Sequence, residues 1–253
     1  MSRRGRAALA AASLVLIAGC TAGPAGPAGP AGPAPAPRPS PAPASASGPA
    51  TAAYSTADPA PEPTTTNTLP PPPAPSGPAP STAGDLAAAA LPVPAGWRTV
   101  ALEGSTEEGF EGNGSWVHAR DPRYAAQDAI TIGCADVTRD DYPDPVAALE
   151  GNYTDGDGAP GVGLALDFAD EAAAAAYWER YTAQVAACRT LDEPVRTALV
   201  EGLPGLVDRR TYPDGEWTEV GRRSRARVTL VILSDPGHRM SRAQARLLLD
   251  QLA

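Results

Sequence analysis

The pattern of apolar positions divides the chain in two near Leu91. Residues 21–90 consist mainly of Pro, Ala, Gly, Ser and Thr and show neither helical nor strand periodicity. From Leu91 to Ala253, apolar residues recur at the spacings with which strands and helices bury one face. We therefore predict one globular domain at residues 91–253, preceded by a disordered spacer at residues 21–90.

Alternating apolar residues predict several short strands within this domain. The clearest alternations run from Ile130 to Cys134, from Val162 to Phe168 and from Ala226 to Ile232. Turn residues 213–215 separate residues 205–212 from residues 216–221, which predicts a β-hairpin. Weaker strand candidates are residues 98–102, 114–119 and 195–200.

Two amphipathic patterns predict helices. The first begins after Asp170, a residue type preferred at helix N-caps, and continues to about Arg189. The second follows Ser241, and a short helical segment is also predicted at Pro145–Gly151. Strands joined by turns and covered by two helices indicate an α+β fold with a mainly antiparallel sheet. The apolar stripes of the two helices are Trp178, Tyr181, Val185 and Cys188, and Ala245, Leu248, Leu249 and Leu252.

Proline and lysine content limit what each part of the chain can do. Twenty of the 30 prolines lie between Pro24 and Pro80, where they favour an extended tether over a packed core. All 20 basic residues are arginine, which excludes a P-loop lysine, a Schiff-base lysine and a Ser–Lys dyad. The chain has only two histidines, His118 and His238, which argues against a histidine-rich metal site. We predict neither a metal nor a cofactor.

The predicted domain is strongly acidic. It holds 16 basic and 26 acidic residues, a net charge of −10, whereas the whole chain carries −9. Such a domain repels polyanions, so we predict that nucleic acid is not a partner.

The N-terminus has the pattern of an export signal. Three arginines precede an apolar run from Ala7 to Ala18, which is too short to span a bilayer. The run ends in Ile17-Ala18-Gly19-Cys20, which resembles the lipobox of bacterial lipoproteins. The resemblance implies that residues 1–20 form a lipoprotein signal peptide and that Cys20 is diacylated. The chain would then be anchored to the extracytoplasmic face of the cell membrane by lipid; the alternative is an ordinary signal peptide with a chance cysteine.

Two cysteines remain in the domain if Cys20 carries lipid. Cys134 shares a predicted strand face with Ile132, and Cys188 shares the stripe of the first predicted helix. Both would point into one core in an oxidising compartment, so we predict a Cys134–Cys188 disulfide, with two buried free thiols as the alternative.

The region around the first predicted helix is similar to a known sensor family. The blocks Asp167–Asp170 and Tyr177–Tyr181, followed by Cys188, resemble the extracellular sensor domains of mycobacterial serine/threonine kinases of the PknH type and of related lipoproteins. The resemblance covers about 30 residues. It implies a sheet-and-helix fold and a ligand-sensing role outside the membrane. That family usually has four domain cysteines, whereas this domain has two.

One cluster of residues is a candidate anion site. The cluster consists of arginines on strands that are predicted to be neighbours. Together they could hold a phosphate, a carboxylate or an anionic lipid headgroup. The alternative is a solvated sheet face paired with Glu216 and Glu219. The candidate residues are Arg209, Arg222, Arg223, Arg225 and Arg227, with Arg210 beside them.

The sequence contains no constellation that identifies a reaction. There is no Gly-x-Ser-x-Gly motif, and Ser234, Asp235, His238 and Ser241 cluster in one segment, as triad members rarely do. We therefore expect a non-catalytic, sensor-like domain that binds a ligand or protein partner in the cell envelope. The alternatives are a cell-envelope hydrolase and a structural or assembly partner of an envelope complex.

Overall fold

A computed structural model of the chain describes residues 64–68, 70, 77–103, 112–130, 136–188 and 195–253. Residues 1–20, with the predicted lipidation site Cys20, lie outside the described residues. So do Cys134 and most of the strand predicted from Ile130 to Cys134.

The described residues form an α+β fold with a mainly antiparallel sheet, as the sequence predicts. The eight strands of this sheet are β2 (Arg98–Thr99), β3 (Val117–Arg120), β5 (Ala147–Thr154), β6 (Pro160–Asp167), β7 (Arg196–Leu199), β8 (Leu206–Tyr212), β9 (Gly215–Ser224) and β10 (Arg227–Ser234). Their order is β2-β5-β6-β10-β9-β8-β7, and β3 pairs with β5 beside β2. The short strands β1 (Thr65–Thr66) and β4 (Val137–Thr138) pair in parallel apart from this sheet.

The described residues also form three α-helices. Asp170 caps α2 (Glu171–Ala187) by accepting a hydrogen bond from the amide of Ala173, as predicted. Ser241 and Gln244 form a capping box at α3 (Arg242–Gln251). The additional helix α1 (Pro122–Asp128) begins with Asp121 as its N-cap and proline at its first position. None of the described helices is both long and apolar enough to cross a membrane.

The helices lie on opposite faces of the sheet. On the α2 face, α1 and α2 cover Leu164, Leu166, Val228 and Leu230. On the α3 face, α3 covers Val207, Val220, Val231 and Leu233. Residues 83–91 cover the remaining part of the α3 face, beside β5 and β6. The core is thus divided by the sheet into two layers.

Two local predictions are wrong. Pro145–Gly151 was expected to be helical, but Ala147–Thr154 forms β5, because its alternate residues Leu149 and Tyr153 are buried on one face of the sheet. The strand expected from residue 130 does not begin there either. Ile130 instead follows the end of α1 as a buried residue, and its amide donates a hydrogen bond to the backbone carbonyl of Gln127.

The packed region begins before residue 91. Leu86, inside the predicted spacer, is completely buried, and it packs with Val117 and Leu149. Apolar residues are sparse among the prolines of this stretch, so no periodicity indicates that Leu86 is a core residue. The boundary predicted at residues 90 and 91 therefore divides a segment that the fold keeps together.

Candidate functional site

Four polar side chains form a buried ion cluster between α2 and the sheet: Tyr181, Asp208, Arg210 and Glu219. The guanidinium of Arg210 donates to both Glu219 and Asp208, the latter over 3.0 Å from Nε to Oδ2. The hydroxyl of Tyr181 donates to Glu219 Oε1 at 2.5 Å and accepts from Arg210 Nη2 at 2.8 Å. Arg210 is 4% exposed, and the other three are completely buried. Charges this deep are rare unless they are paired, as they are here.

The β8–β9 hairpin determines which side chains meet in the cluster. Its two-residue turn pairs Tyr212 with Gly215, so Asp208 lies opposite Glu219 and Arg210 lies opposite Trp217. Side chains alternate between the faces of a sheet, so all four of these residues project towards α2. The helix supplies Tyr181 from the middle of its buried stripe.

Burial governs the protonation of the two carboxyl groups. Removal from water raises the pKa of Glu219 to about 7, although Arg210 opposes the shift. Burial likewise raises the pKa of Asp208, again against the attraction of Arg210. Asp208 Oδ1 has no hydrogen-bond partner among the described residues. The cluster therefore holds a carboxyl group that changes charge near neutral pH.

A cavity of about 560 Å³ opens beside the ion cluster, and Arg210 reaches its wall. We call it the Arg139 cavity. Its apolar lining comes from Ile130 after α1, from Trp217 on β9 and from Ile232 on β10. An apolar wall with a few converging polar groups is typical of small-molecule sites.

Arg139 brings a buried hydrogen-bond donor to this cavity, whose lining also includes the acidic residues Asp128 and Asp214. The residue lies in a short 3-10 turn, Arg139–Asp141, directly after β4. Its Nε is buried but has no hydrogen-bond partner among the described residues. Arg210, by contrast, is held by two carboxylates. The Nε of Arg139 is therefore a donor left for an anion or another acceptor.

Two other cavities lie on the α3 face, and each contains a carboxylate that is already bound to other groups of the domain. In the larger, about 650 Å³, Arg227 forms a two-pronged salt bridge with Asp167, at 2.6 and 2.9 Å. In the smaller, about 280 Å³, the carboxylate of Asp235 accepts from the hydroxyl of Thr218 and from the amides of Arg239 and Met240. Both carboxylates therefore stabilise the fold around them.

The five candidate anion-binding arginines do not come together on one surface. Strand alternation places Arg209 and Arg222 on the α3 face and Arg223 on the α2 face. Two of them donate to backbone carbonyls of the α3 region, Arg209 to Met240 and Arg222 to Leu249. Each of these two therefore has a partner within the domain, and whether they bind an anion stays a prediction.

The remaining two candidates lie together at the β9–β10 turn. Arg225 and Arg227 both line the 650 Å³ cavity. Arg225 has a positive φ of 54°, and its carbonyl accepts from Arg223. Since Arg227 is bound to Asp167, this pair presents less free charge than the sequence suggests.

The segment with Asp235, His238 and Ser241 is a strand-to-helix turn, as the sequence reading preferred. The carboxylate of Asp235 accepts hydrogen bonds from backbone amides that follow it in the chain, and Ser241 caps α3. The ring Nε2 of His238 lies 3.3 Å from the hydroxyl of Thr211. No cluster of three or more potential metal ligands occurs among the described residues.

Sequence reasoning missed the composition of this site. Arg139 lies in a charged segment without periodicity, and no local pattern distinguishes it from solvated residues. Glu219 enters the sequence analysis only in the alternative of a solvated sheet face, whereas the structure buries it completely, between the buried residues Thr218 and Val220. The signal that could have revealed the cluster is the spacing of Asp208 and Arg210, which lie two apart on the strand predicted to pair with Glu219.

Comparison of the chain with known proteins finds no matching family model, no matching curated protein and no matching solved structure.

Proposed function

We propose that this chain is a lipid-anchored protein of the extracytoplasmic membrane face whose domain binds a small ligand without catalysing a reaction. The ligand site is the Arg139 cavity. The observation that carries the proposal is the buried Nε of Arg139, which has no hydrogen-bond partner among the described residues and lies in a cavity with an apolar wall next to a buried ion cluster. Buried ionisable groups beside a cavity are more frequent at functional sites than elsewhere in proteins.

The lining of the cavity defines the chemistry of the ligand. Trp217 and Ile232 favour an apolar or aromatic body. Arg139 favours an anionic group or a strong hydrogen-bond acceptor, because its buried Nε gains a partner when such a group binds. We therefore propose a small amphiphilic anion as the ligand class.

The test uses 1-anilinonaphthalene-8-sulfonate, a fluorescent amphiphilic anion. Titrated into the full-length protein, it should bind saturably, and Arg139→Ala should weaken its affinity by about tenfold, the equivalent of one charge-assisted hydrogen bond. The matched control is Arg246→Ala, which removes the same charge from an arginine paired with Asp250 on α3, across the sheet.

Two results would contradict the proposal. Equal affinity of the probe for Arg139→Ala and the unaltered chain would show that it does not bind at Arg139. An equal loss in Arg246→Ala would show that the probe responds only to net charge.

The anchor and the disulfide are separate parts of the proposal. Lipidation of Cys20 predicts that Cys20→Ala abolishes incorporation of labelled fatty acid and releases the protein from the membrane fraction. Cys188 is completely buried and is not a free thiol, and it packs with Val195 and Tyr212. Its predicted partner Cys134 lies outside the described residues, so the pairing stays a proposal. Non-reducing mass spectrometry should show a domain two daltons lighter than after reduction, and equal masses would contradict the bridge.

A further inference from the structure

A short piece of the predicted spacer pairs with the domain as a strand. Strand β1 runs parallel to β4, with Thr65 opposite Val137 and Thr66 opposite Thr138. The amide of Val137 donates to the carbonyl of Thr64 at 2.9 Å. An extended segment added to an exposed strand is a common mode of peptide recognition. We call residues 64–68 the latch segment.

Two aspartates bind the latch segment through both backbone and side chain. Asp136 Oδ1 accepts from the amide and the hydroxyl of Thr64, at 2.8 and 3.0 Å. Asp140 Oδ2 accepts from the amide of Thr68 at 2.8 Å and also from its hydroxyl. The hydrogen bonds from the amide and then the hydroxyl of Thr64 lower the pKa of Asp136, so the carboxylate is the bound form. The two positions therefore select residues with a hydroxyl on the β-carbon.

Helix α1 also binds the latch segment at Asn67 and the spacer beyond it at Pro70. Asn67 Nδ2 donates to Gln127 Oε1 at 3.2 Å, and Arg123 Nη2 donates to the carbonyl of Pro70 at 2.7 Å. Contacts to α1 and to the segment 136–140 are thus made by residues 64–68 and by Pro70 of the spacer. A surface that meets one extended segment at so many points is a docking site rather than a chance contact.

The two segments that form the docking surface, α1 and residues 136–140, also contribute residues to the wall of the Arg139 cavity. Arg139 lies between Thr138, opposite the latch segment, and Asp140, which binds Thr68. Asp128, next to Gln127 on α1, lines the cavity as well. Any displacement of the latch segment therefore acts on the two segments that carry Asp128 and Arg139.

We propose that residues 136–140 and α1 form a docking site for a threonine-bearing extended segment, that this chain's own latch segment occupies it, and that the docked segment holds the cavity wall carrying Arg139. The latch itself does not depend on the proposed ligand, but the consequence for the cavity rests on the proposed function.

Hydrogen–deuterium exchange of the full-length protein tests the latch directly. In the unaltered chain, the amides of Thr64 and Thr68 should exchange at least about tenfold more slowly than in an unstructured peptide, as hydrogen bonds to carboxylates predict. The double variant Asp136→Ala/Asp140→Ala should remove this protection and should also speed exchange in residues 136–142. Asp141→Ala is the matched control, because Asp141 lies in the same turn and faces Arg180 instead. Unchanged exchange in β6 and β10 would show that the double variant still folds.

The outcomes separate the two parts of the proposal. Exchange of Thr64 and Thr68 at the rate of a free peptide in the unaltered chain would overturn the latch. Protection that survives in the double variant would overturn the role of the two aspartates. Loss of protection at Thr64 and Thr68 without any change in residues 136–142 would overturn the coupling to the cavity wall. None of these results depends on ligand binding, so failure of the latch and failure of the ligand site are distinguishable.

Discussion

Two neighbouring cross-strand pairs of the β8–β9 hairpin, on opposite faces of the sheet, bury opposite kinds of side chain. On the α3 face, Val207 and Val220 pack against Leu249, and all three are nearly or completely buried. On the α2 face, Asp208 and Glu219 are buried to the same degree but are carboxyl groups bound to one arginine. Adjacent positions of the same two strands therefore place an apolar contact on the α3 face and an ion cluster on the α2 face. We call these the apolar face and the ionic face of the hairpin.

This difference indicates which face is built for stability alone. A buried ion pair seldom stabilises a fold more than apolar residues of equal size, because desolvation offsets the attraction. The apolar contact on the α3 face is therefore what stability alone would favour, and the α2 face buries ionisable groups instead where the hairpin meets the Arg139 cavity. Such a departure is expected at functional sites, where local rules of stability are broken for another purpose.

The largest effect should come from breaking the ion cluster on one side only. Arg210→Met leaves Asp208 and Glu219 buried without their cation, and it should lower the free energy of unfolding by about 3–5 kcal/mol. The matched control is Arg209→Met, at the preceding position of β8 but on the α3 face, where the side chain donates to the carbonyl of Met240. Urea denaturation of both variants measures the contrast.

The outcome for the control is as informative as the outcome for the variant. Arg209→Met should cost about 1 kcal/mol or less, the loss of one hydrogen bond. If the two variants were destabilised equally, the ionic face would not differ energetically from the apolar face, and the comparison would fail.

A second prediction tests the apolar face. Leu249→Ala removes a completely buried side chain of α3 from the layer with Val207 and Val220 and should cost about 2–5 kcal/mol. Leu247→Ala, on the same helix but 62% exposed, should change the free energy of unfolding by less than about 1 kcal/mol. A small effect of Leu249→Ala would mean that α3 packs loosely and that the α3 face is not the main source of stability.

The hairpin also explains why its strands could be predicted and its ion cluster could not. The alternation of apolar residues located β8 and β9 to within a few residues. The predicted turn of three residues, 213–215, would pair Tyr212 with Glu216, whereas the structure pairs Tyr212 with Gly215. A shift of one residue exchanges the two faces of a strand relative to its partner, so it separates Glu219 from Asp208. The register of a hairpin, unlike the existence of its strands, depends on the type and length of its turn.

Other misses have a similar physical origin. The pattern of β5 includes glycine at position 151, where the ring of Trp116 and the side chain of Leu91 leave no space for a Cβ. That glycine serves a tertiary contact and conceals the alternation that marks a strand. Helix α1 is short, and its buried residues Ala125 and Ala126 are too small to form an apolar stripe in the sequence. Long helices with a cap and large apolar residues, such as α2, were predicted correctly.

The smallest expected effect concerns the pH dependence of the ionic face. Burial keeps Glu219 protonated in the folded protein up to about pH 7, whereas the unfolded chain releases this proton near the ordinary value of 4.5. The folded state therefore binds more protons between these two values, and its stability falls as the pH rises through that window. One such group contributes a slope of up to about 1.4 kcal/mol per pH unit. Glu219→Gln, which cannot titrate, should remove this contribution from the pH profile of the free energy of unfolding.

The difference between two pH profiles isolates this single group. Asp208 has a pKa raised by the same burial, so some slope of the same sign should persist in Glu219→Gln. The matched control Glu179→Gln, at an exposed position of α2, should keep the full slope of the unaltered chain. If Glu219→Gln and Glu179→Gln gave the same profile, Glu219 would be ionised throughout the window in the folded state. The ionic face would then be a permanently charged pair, without the change in charge near neutral pH that distinguishes it from the apolar face.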